Sequence, residues 1–252
     1  MSAGGRASRI ARKALLKLRA AAGMLANFDD DLQRCRQKVS FSQCGEDVIS
    51  WFLLDQLAIH KPAYVDVGAY DPMRLSNTAL FHLMGGRGIN IEPDPKLFAS
   101  FPRARPGDIN LNIGIARVAG SLTFFRMADP ALSTFSESEA RRMESEEGIP
   151  IDERVQLPVR PLGEVLSEYG WRPDFISVDV ESMDVEVLQS FELARVRPAV
   201  ICVETISFSL SMAGKKSAPV EKLMADAGYL AYADTYINTI YVDESRFRSV
   251  RG

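Results

Sequence analysis

The chain of 252 residues has little of what builds a metal or disulfide framework: two histidines, three cysteines and no CxxC pair. His60 and His82 stand apart, and Cys35, Cys44 and Cys202 are scattered, so nothing supports a zinc site. An odd, unpaired set of cysteines fits a reducing cytoplasm better than a secreted fold. Cys202 lies in an apolar run and reads as a small buried hydrophobe. His82, between Phe81 and Leu83, reads as a packed or surface residue rather than a general base, and His60 as solvated. No stretch approaches the roughly 18 apolar residues of a membrane span. GxGxxG and the P-loop are both missing, which removes the usual cradles for a dinucleotide or a triphosphate. Internal repeats, low-complexity tracts and linkers are also lacking. A net charge of −3 gives no general attraction to nucleic acid.

Acid is missing from the start of the chain, where Arg6, Arg9, Arg12, Lys13, Lys17 and Arg19 all precede Asp29. On a helical wheel Ile10, Ala14, Leu18, Ala21, Leu25 and Phe28 share one face, with most of the bases opposite. Residues 1–40 therefore read as a basic amphipathic helical segment. Lys17 and Arg19 interrupt what would be the apolar region of a signal peptide, which disfavours export. One reading places this helix on an anionic membrane surface at the inner face of the cytoplasmic membrane, each base contributing about 1 kcal/mol. The other has it pack on the domain or on another subunit.

What is present is an ordinary globular composition, 46% hydrophobic and 25% charged, enough for one sizeable α/β domain over 41–252. Strand signals at 64–67, 88–91, 109–113, 174–179 and 199–203 alternate with helix signals. The first helix follows Ser42 as N-cap, with Glu46 and Asp47 in its first turn, and runs to near Lys61. Alternation of this kind predicts a doubly wound, Rossmann-like, mostly parallel sheet with right-handed crossovers. Two further strands, at 229–233 and 239–242, predict an antiparallel finish. Another at 122–127 is expected to pair across the Gly120–Ser121 turn, and a short one at 155–159 follows. The Glu-rich stretch 136–148 reads as a helix loosely attached to the core, part of a segment 128–150 that either covers a cleft as a lid or is merely solvated.

The stretch Tyr-Val-Asp-Val-Gly-Ala-Tyr-Asp-Pro (64–72) is a buried strand that stops at a glycine beside two carboxylates, where open α/β sheets bind ligands. Gly68 permits a sharp turn and a close approach by a ligand. The second strand ends in Glu92, well placed to accept hydrogen bonds from a ribose diol. A single glycine, with Asp71 where a diphosphate would be repelled, suits a nucleoside cofactor without phosphate. S-adenosylmethionine has that character, and its positive sulfonium and amino groups would favour carboxylates at the strand ends.

Six motifs then occur in order: Phe-Ser-Gln-Cys-Gly-Glu-Asp (41–47), Val-Asp-Val-Gly-Ala-Tyr-Asp-Pro (65–72), Ser-Asn-Thr (76–78), Gly-Ile-Asn-Ile-Glu-Pro-Asp-Pro (88–95), Ile-Asn-Leu-Asn-Ile-Gly-Ile (109–115) and Asp-Phe-Ile-Ser-Val-Asp-Val-Glu (174–181). Over roughly 41–242 the chain resembles the FkbM family of S-adenosylmethionine-dependent methyltransferases. The resemblance implies a class I methyltransferase fold and methyl transfer to a hydroxyl oxygen. The family's acceptors include sugars of surface glycans and polyketide hydroxyls. By motif, Asp66, Gly68 and Ala69, with Tyr70 and Asp71 completing the turn, would line the methionine part of the cofactor. Glu92 would bind the ribose, and Asn112, Ile113 and Gly114 would border the adenine. Asn77 would contact the methionine end or else make local hydrogen bonds at a helix start. The family's Asp-Val-Glu-Gly is broken here by Ser182, with Asp184 beyond it.

An alcohol must lose a proton as it is methylated, and Asp179 at a strand end is the first candidate base, with Glu181 second and Glu204 third. Asp179 serves equally well as a residue that only orders the loop or binds the cofactor. The three acids together could hold Mg²⁺, a hard cation that takes oxygen ligands, although the sequence assigns no metal. The leading expectation is an O-methyltransferase acting on a sugar hydroxyl in glycan synthesis. A polyketide hydroxyl is the alternative acceptor, and a catalytically weak cofactor-binding scaffold the alternative in kind.

Overall fold

A computed structural model describes residues 39–211 and 214–251. The basic segment and Cys35 lie outside the described residues. Among the described residues no helix is long and apolar enough to cross a membrane.

The main sheet has seven strands. In chain order its parallel members are β1 (Ala63–Val67), β2 (Arg87–Ile91) and β3 (Ile109–Leu111). Next come three strands of which the first two, β4 (Gly114–Ile115) and β5 (Gly120–Met127), join β6 (Ile151–Arg160) in a separate sheet ordered β4-β6-β5. The main sheet resumes with β7 (Phe175–Val178) and β8 (Val200–Glu204) and ends in the hairpin β9 (Tyr229–Asp234) and β10 (Asn238–Asp243). Its order is β3-β2-β1-β7-β8-β10-β9, with β10 antiparallel to both β8 and β9. The chain thus starts in the middle, winds outward to one edge, returns across the centre and reverses at the far edge.

Both faces of this sheet are covered, and the alternation of side chains sorts the core. Val65 and Val67 of β1 point into one apolar cluster with Ile89, Ile91, Ile176 and Val178, under the helix Leu162–Glu168. Tyr64 points the other way, into a cluster with Phe81 and Phe175, under the helix Glu46–Gln56. That helix is shorter than expected and is capped by Gly45 at φ +93° rather than by Ser42. Ser42 Oγ instead accepts from Gly45 N–H and donates to Asp47, building the turn before the helix. Glu46 reaches across the molecule: its Oε1 accepts from Thr235 Oγ1 (2.7 Å) and Asn238 Nδ2 (3.2 Å) in the β9–β10 hairpin.

Three further expectations need correction. The third strand stops at Leu111, and β4 leaves it to pair with β6. β5 begins at Gly120 and pairs not across a tight turn but with the whole of β6, from Gly120↔Val159 to Met127↔Ile151. The Glu-rich helix, Glu137–Glu146, is not loosely attached. Ser136 caps it by accepting from Glu139 N–H, and Ala140 and Met143, one turn apart, are fully buried against Phe125, Met127 and Leu132. Two small apolar residues among many charges carry the docking, which is why composition hid it. An additional helix, Glu244–Arg251, follows β10.

Candidate active site

The site lies at the carboxyl ends of β1, β2, β7 and β8. β1 gives way to Gly68, whose φ of +80° and surroundings both demand glycine: a Cβ there would lie 1.8 Å from the backbone oxygen of Asp179. Gly68 and Ala69 both donate N–H to Ile91 O, at 3.0 and 3.1 Å, so the turn is locked onto β2 as well. Tyr70 follows at φ +51° and donates its N–H to Glu92 Oε2 at 2.8 Å, while Asp94 N–H donates to Glu92 Oε1 at 2.7 Å. Burial, with Asp94 and Asp66 adding repulsion, pushes the Glu92 carboxyl up to about 8 against these two bonds.

Asp94 caps the short helix Pro95–Phe98 through Lys96 N–H and pairs with Arg126 of β5 at 2.7 Å. Arg126 also pairs with Glu153 of β6, so the small sheet is held to the end of β2 by charge. Between them lies a cleft walled by Glu92, Leu97, Ile113, Gly114, Phe124 and Phe135. Leu97, Ile113, Phe124 and Phe135 make one part of it apolar, with Glu92 on one side and Asp179 and Glu181 on another, the profile of a slot for a flat base beside a ribose. Each Glu92 oxygen already accepting one N–H keeps a lone pair for a ribose hydroxyl. These residues therefore fit an adenosine.

A second cleft of about 320 Å³ opens from the first, sharing Gly68, Tyr70, Ala131, Asp179 and Glu181. Leu75, Ile206, Phe208 and Tyr236 form its sides and Glu204 part of its wall. Here the acids converge: Asp179 after β7, Glu181 two residues on and Glu204 at the end of β8 bring carboxylate oxygens within 4.8 Å of one another. Burial pushes Asp179 up to about 7, helped by repulsion from Asp66 and Glu46. Glu181 and Glu204 are raised well above the carboxylate range, first by burial and then by mutual repulsion with Asp179 and Asp184. Asp184 is raised likewise, by burial and Asp179.

The backbone around this cluster is strained. Of seven described non-glycine residues at positive φ, five border the cleft or adjoin it: Tyr70, Leu75, Glu181, Ser182 and Tyr236. Ser182, at φ +74°, stands where the family pattern has glycine, and that angle is the reason a glycine suits the position. Thr134 Oγ1 donates to Glu181 O at 2.7 Å and helps hold the strained pair.

Of the residues singled out in the sequence, Gly68, Tyr70, Glu92, Ile113, Gly114, Asp179, Glu181 and Glu204 wall the two clefts. The side chains of Asp66, Asp71, Asn77 and Asn112 are turned to other partners. Asp66 accepts from Thr78 Oγ1 at 2.6 Å inside a buried polar network. Asp71 accepts from Met73 and Arg74 N–H, closing its own turn. Asn77 donates to Ser177 Oγ at 3.0 Å, a cross-sheet bond and not a local one. Asn112 donates to Glu92 O and Pro93 O and fixes the turn that carries Glu92. Ala69 is buried and engages through its backbone alone. Both histidines sit elsewhere, His60 beside Asp55 and His82 3.3 Å from Asp108.

Sequence reading missed Arg105, which is fully buried. Its guanidinium donates to Pro72 O through Nε at 3.1 Å, to Ser76 Oγ at 2.9 Å, to Thr78 Oγ1 at 2.7 Å and to Asn90 Oδ1 at 2.8 Å. With Asp66 close enough to feel its charge, Arg105 clamps the 72–78 loop that presents Leu75 to the cleft. A lone arginine between a short helix and β3 offers no pattern to find it by.

A central strand ending in a glycine turn, a ribose-type carboxylate on the next strand and a reversed last strand define a class I S-adenosylmethionine-dependent methyltransferase. Residues 66–231, more than half of the chain, match the Methyltransferase FkbM domain, and the protein belongs to that family. No curated protein sequence gives a significant match. Among solved structures, similarity is found to 1,6-didemethyltoxoflavin-N1-methyltransferase of Burkholderia thailandensis, solved with 1,6-didemethyltoxoflavin and S-adenosylhomocysteine. That pair shares 11% identity over 89% of this chain and 87% of the other, with a TM-score of 0.39. A TehB-like methyltransferase of Corynebacterium glutamicum gives 11% identity over 89% and 98%, TM-score 0.39. A precorrin-6y C5,15-methyltransferase of Geobacter metallireducens gives 12% over 77% and 87%, TM-score 0.36.

Proposed function

We propose that the protein methylates a hydroxyl oxygen of a sugar, in the synthesis of a surface polysaccharide or another glycan. The observation that carries this reading is the convergence of Asp179, Glu181 and Glu204 on one cleft beside the Gly68 turn. An acceptor rich in hydroxyls finds carboxylates there to receive its O–H groups.

S-adenosylmethionine supplies the methyl group from a positively charged sulfur. Asp179 borders both clefts and titrates near neutral pH, which suits a group that takes the hydroxyl proton. Asp179 would take the hydroxyl proton as the acceptor oxygen receives the methyl group that S-adenosylmethionine would give up, leaving S-adenosylhomocysteine. Glu181 and Glu204, on the wall of the same cleft, set the acceptor's approach. Most of the acceleration comes from this alignment, worth up to about 7–11 kcal/mol in favourable cases. The apolar sides formed by Leu75, Ile206 and Phe208 favour a second reading, in which the hydroxyl belongs to a polyketide.

The test offers glycan fragments and polyketide alcohols with S-adenosylmethionine and detects methylated product by mass spectrometry. Methylated glycan is expected. Product from the polyketide alone would replace the first reading by the second, and cofactor binding with no product from either would make the protein a scaffold. Asp179→Asn is expected to keep S-adenosylhomocysteine binding and lose turnover by about 10²–10⁴-fold. Unchanged turnover would remove Asp179 as the base.

A further inference from the structure

The acid cluster is more than a set of candidate bases. Glu181 and Glu204 are each more than nine-tenths buried, yet they line the open cleft together with Asp179. No described side chain or backbone N–H donates a hydrogen bond to any of the three carboxylates. No lysine or arginine pairs with them among the described residues. Arg142, whose charge reaches Glu181, is engaged with Glu139 at 2.6 Å. A fourth acid, Asp184, is 6% exposed and leaves its Oδ1 buried without a partner, and its charge acts on both Glu181 and Glu204. Buried carboxylates in native proteins are paired, hydrogen-bonded or bound to metal, and here the first two are lacking.

We propose that Asp179, Glu181 and Glu204 together hold one divalent, oxygen-seeking cation of the Mg²⁺ or Mn²⁺ kind, against which the acceptor hydroxyl binds. The donor set is all oxygen, which selects hard cations over zinc or copper. Ligands about 2.1 Å from such an ion can be at most about 4.2 Å apart, so oxygens within 4.8 Å need only small side-chain rotations to close on it. Three carboxylates from two neighbouring strand ends leave the remaining coordination positions facing the cleft, for waters and the acceptor oxygen. Asp184 stands behind as a further negative charge. A cation here would draw electron density from the hydroxyl oxygen and ease loss of its proton to an Asp179 oxygen not engaged with the ion. Occupancy of the site by the ion is independent of the acceptor's identity. Its use on a hydroxyl rests on the function proposed above.

The experiment uses the full-length chain after chelator treatment and desalting. Mn²⁺ is titrated in, and the free ion is read by electron paramagnetic resonance. One bound Mn²⁺ per chain is expected, with a Kd at or below about 1 mM, competed by Mg²⁺. Glu181→Gln and Glu204→Gln should each weaken it more than about tenfold, while Asp152→Asn on exposed β6 leaves it unchanged. S-adenosylhomocysteine binding, measured by calorimetry, should survive in Glu204→Gln and so report an intact fold. A protein that binds S-adenosylhomocysteine but no Mn²⁺, or whose Mn²⁺ affinity ignores both substitutions, overturns the proposal. Mn²⁺ binding without turnover on any alcohol would uphold the ion site and count against the hydroxyl acceptor.

Discussion

Replacing Gly68 by alanine separates the two demands made on that residue. The first is conformational: φ is +80°, and an L-residue there costs about 1–2 kcal/mol. The second is spatial. Real Cβ atoms essentially never approach another heavy atom within 3.0 Å, and this one would sit 1.8 Å from Asp179 O, so the ends of β1 and β7 must part by at least 1.2 Å (3.0 minus 1.8). Such overpacking adds roughly 1–3 kcal/mol. Gly170 supplies the control, since it has φ +58° and nothing within 4 Å of its added Cβ. Gly170→Ala should therefore lose about 1–2 kcal/mol in urea denaturation, and Gly68→Ala about 2–5 kcal/mol. The functional gap should be wider. A displacement of about 1 Å between Asp179 and the Gly68 turn, which border both clefts, can cost about 10²-fold in turnover. Calorimetry with S-adenosylhomocysteine should show near-normal affinity in Gly170→Ala and a loss of more than tenfold in Gly68→Ala. Equal destabilisation of the two variants, or normal binding by Gly68→Ala, would refute the close-approach reasoning.

Ser182→Gly should stabilise the protein by about 1 kcal/mol, because φ +74° is strained for serine; a lower Tm in the glycine variant would contradict this. Arg105→Met should cost about 3–5 kcal/mol in urea denaturation, since it leaves Asp66 and the Asn90 and Ser76 oxygens buried without their cation; a loss below about 1 kcal/mol would show that the network is dispensable. Glu92 has an unusual pH signature. Its pKa rises from about 4.5 unfolded to about 8 folded, so its contribution to stability is complete below the unfolded value and is lost as pH rises towards 8. Denaturation of the ligand-free protein should show stability falling between pH 5 and 8, by roughly 4 kcal/mol at most from this group, and Glu92→Gln should flatten that slope. A slope unchanged by the substitution would dismiss Glu92 as its source.

The strand ends were legible in the sequence because each combines a run of buried apolar residues with one acid at its end: Asp66 and Asp179 beside their valines, Glu92 after Ile91, Glu204 after Val203. Which way an acid faces was less legible. Tyr64 and Asp66 share one face of β1 and Val65 and Val67 the other, and only the partners beyond the strand send the Asp66 carboxylate to Thr78 and Arg105. Those partners come from distant parts of the chain, joined by folding and not by spacing. The helix Glu137–Glu146 was misjudged for a similar reason, since its attachment depends on Ala140 and Met143 amid ten mostly polar residues. The short β4 and the length of β6 depend on each other, and neither carries a signal alone.

The hairpin that reverses the sheet also sets when the site can exist during synthesis. Glu204 is paired to Asn238 in the β8–β10 register, and Asn238 is in turn bonded to Glu46, a residue 192 positions earlier. A ribosome therefore delivers the glycine turn, Glu92 and Asp179 well before the strand that fixes Glu204. Until β10 emerges, β8 is an open edge, and Glu46 waits for the partners that close the far side. The nascent chain can assemble the cleft beside the Gly68 turn first, while the cleft walled by Glu204 is completed only when the two ends of the domain meet.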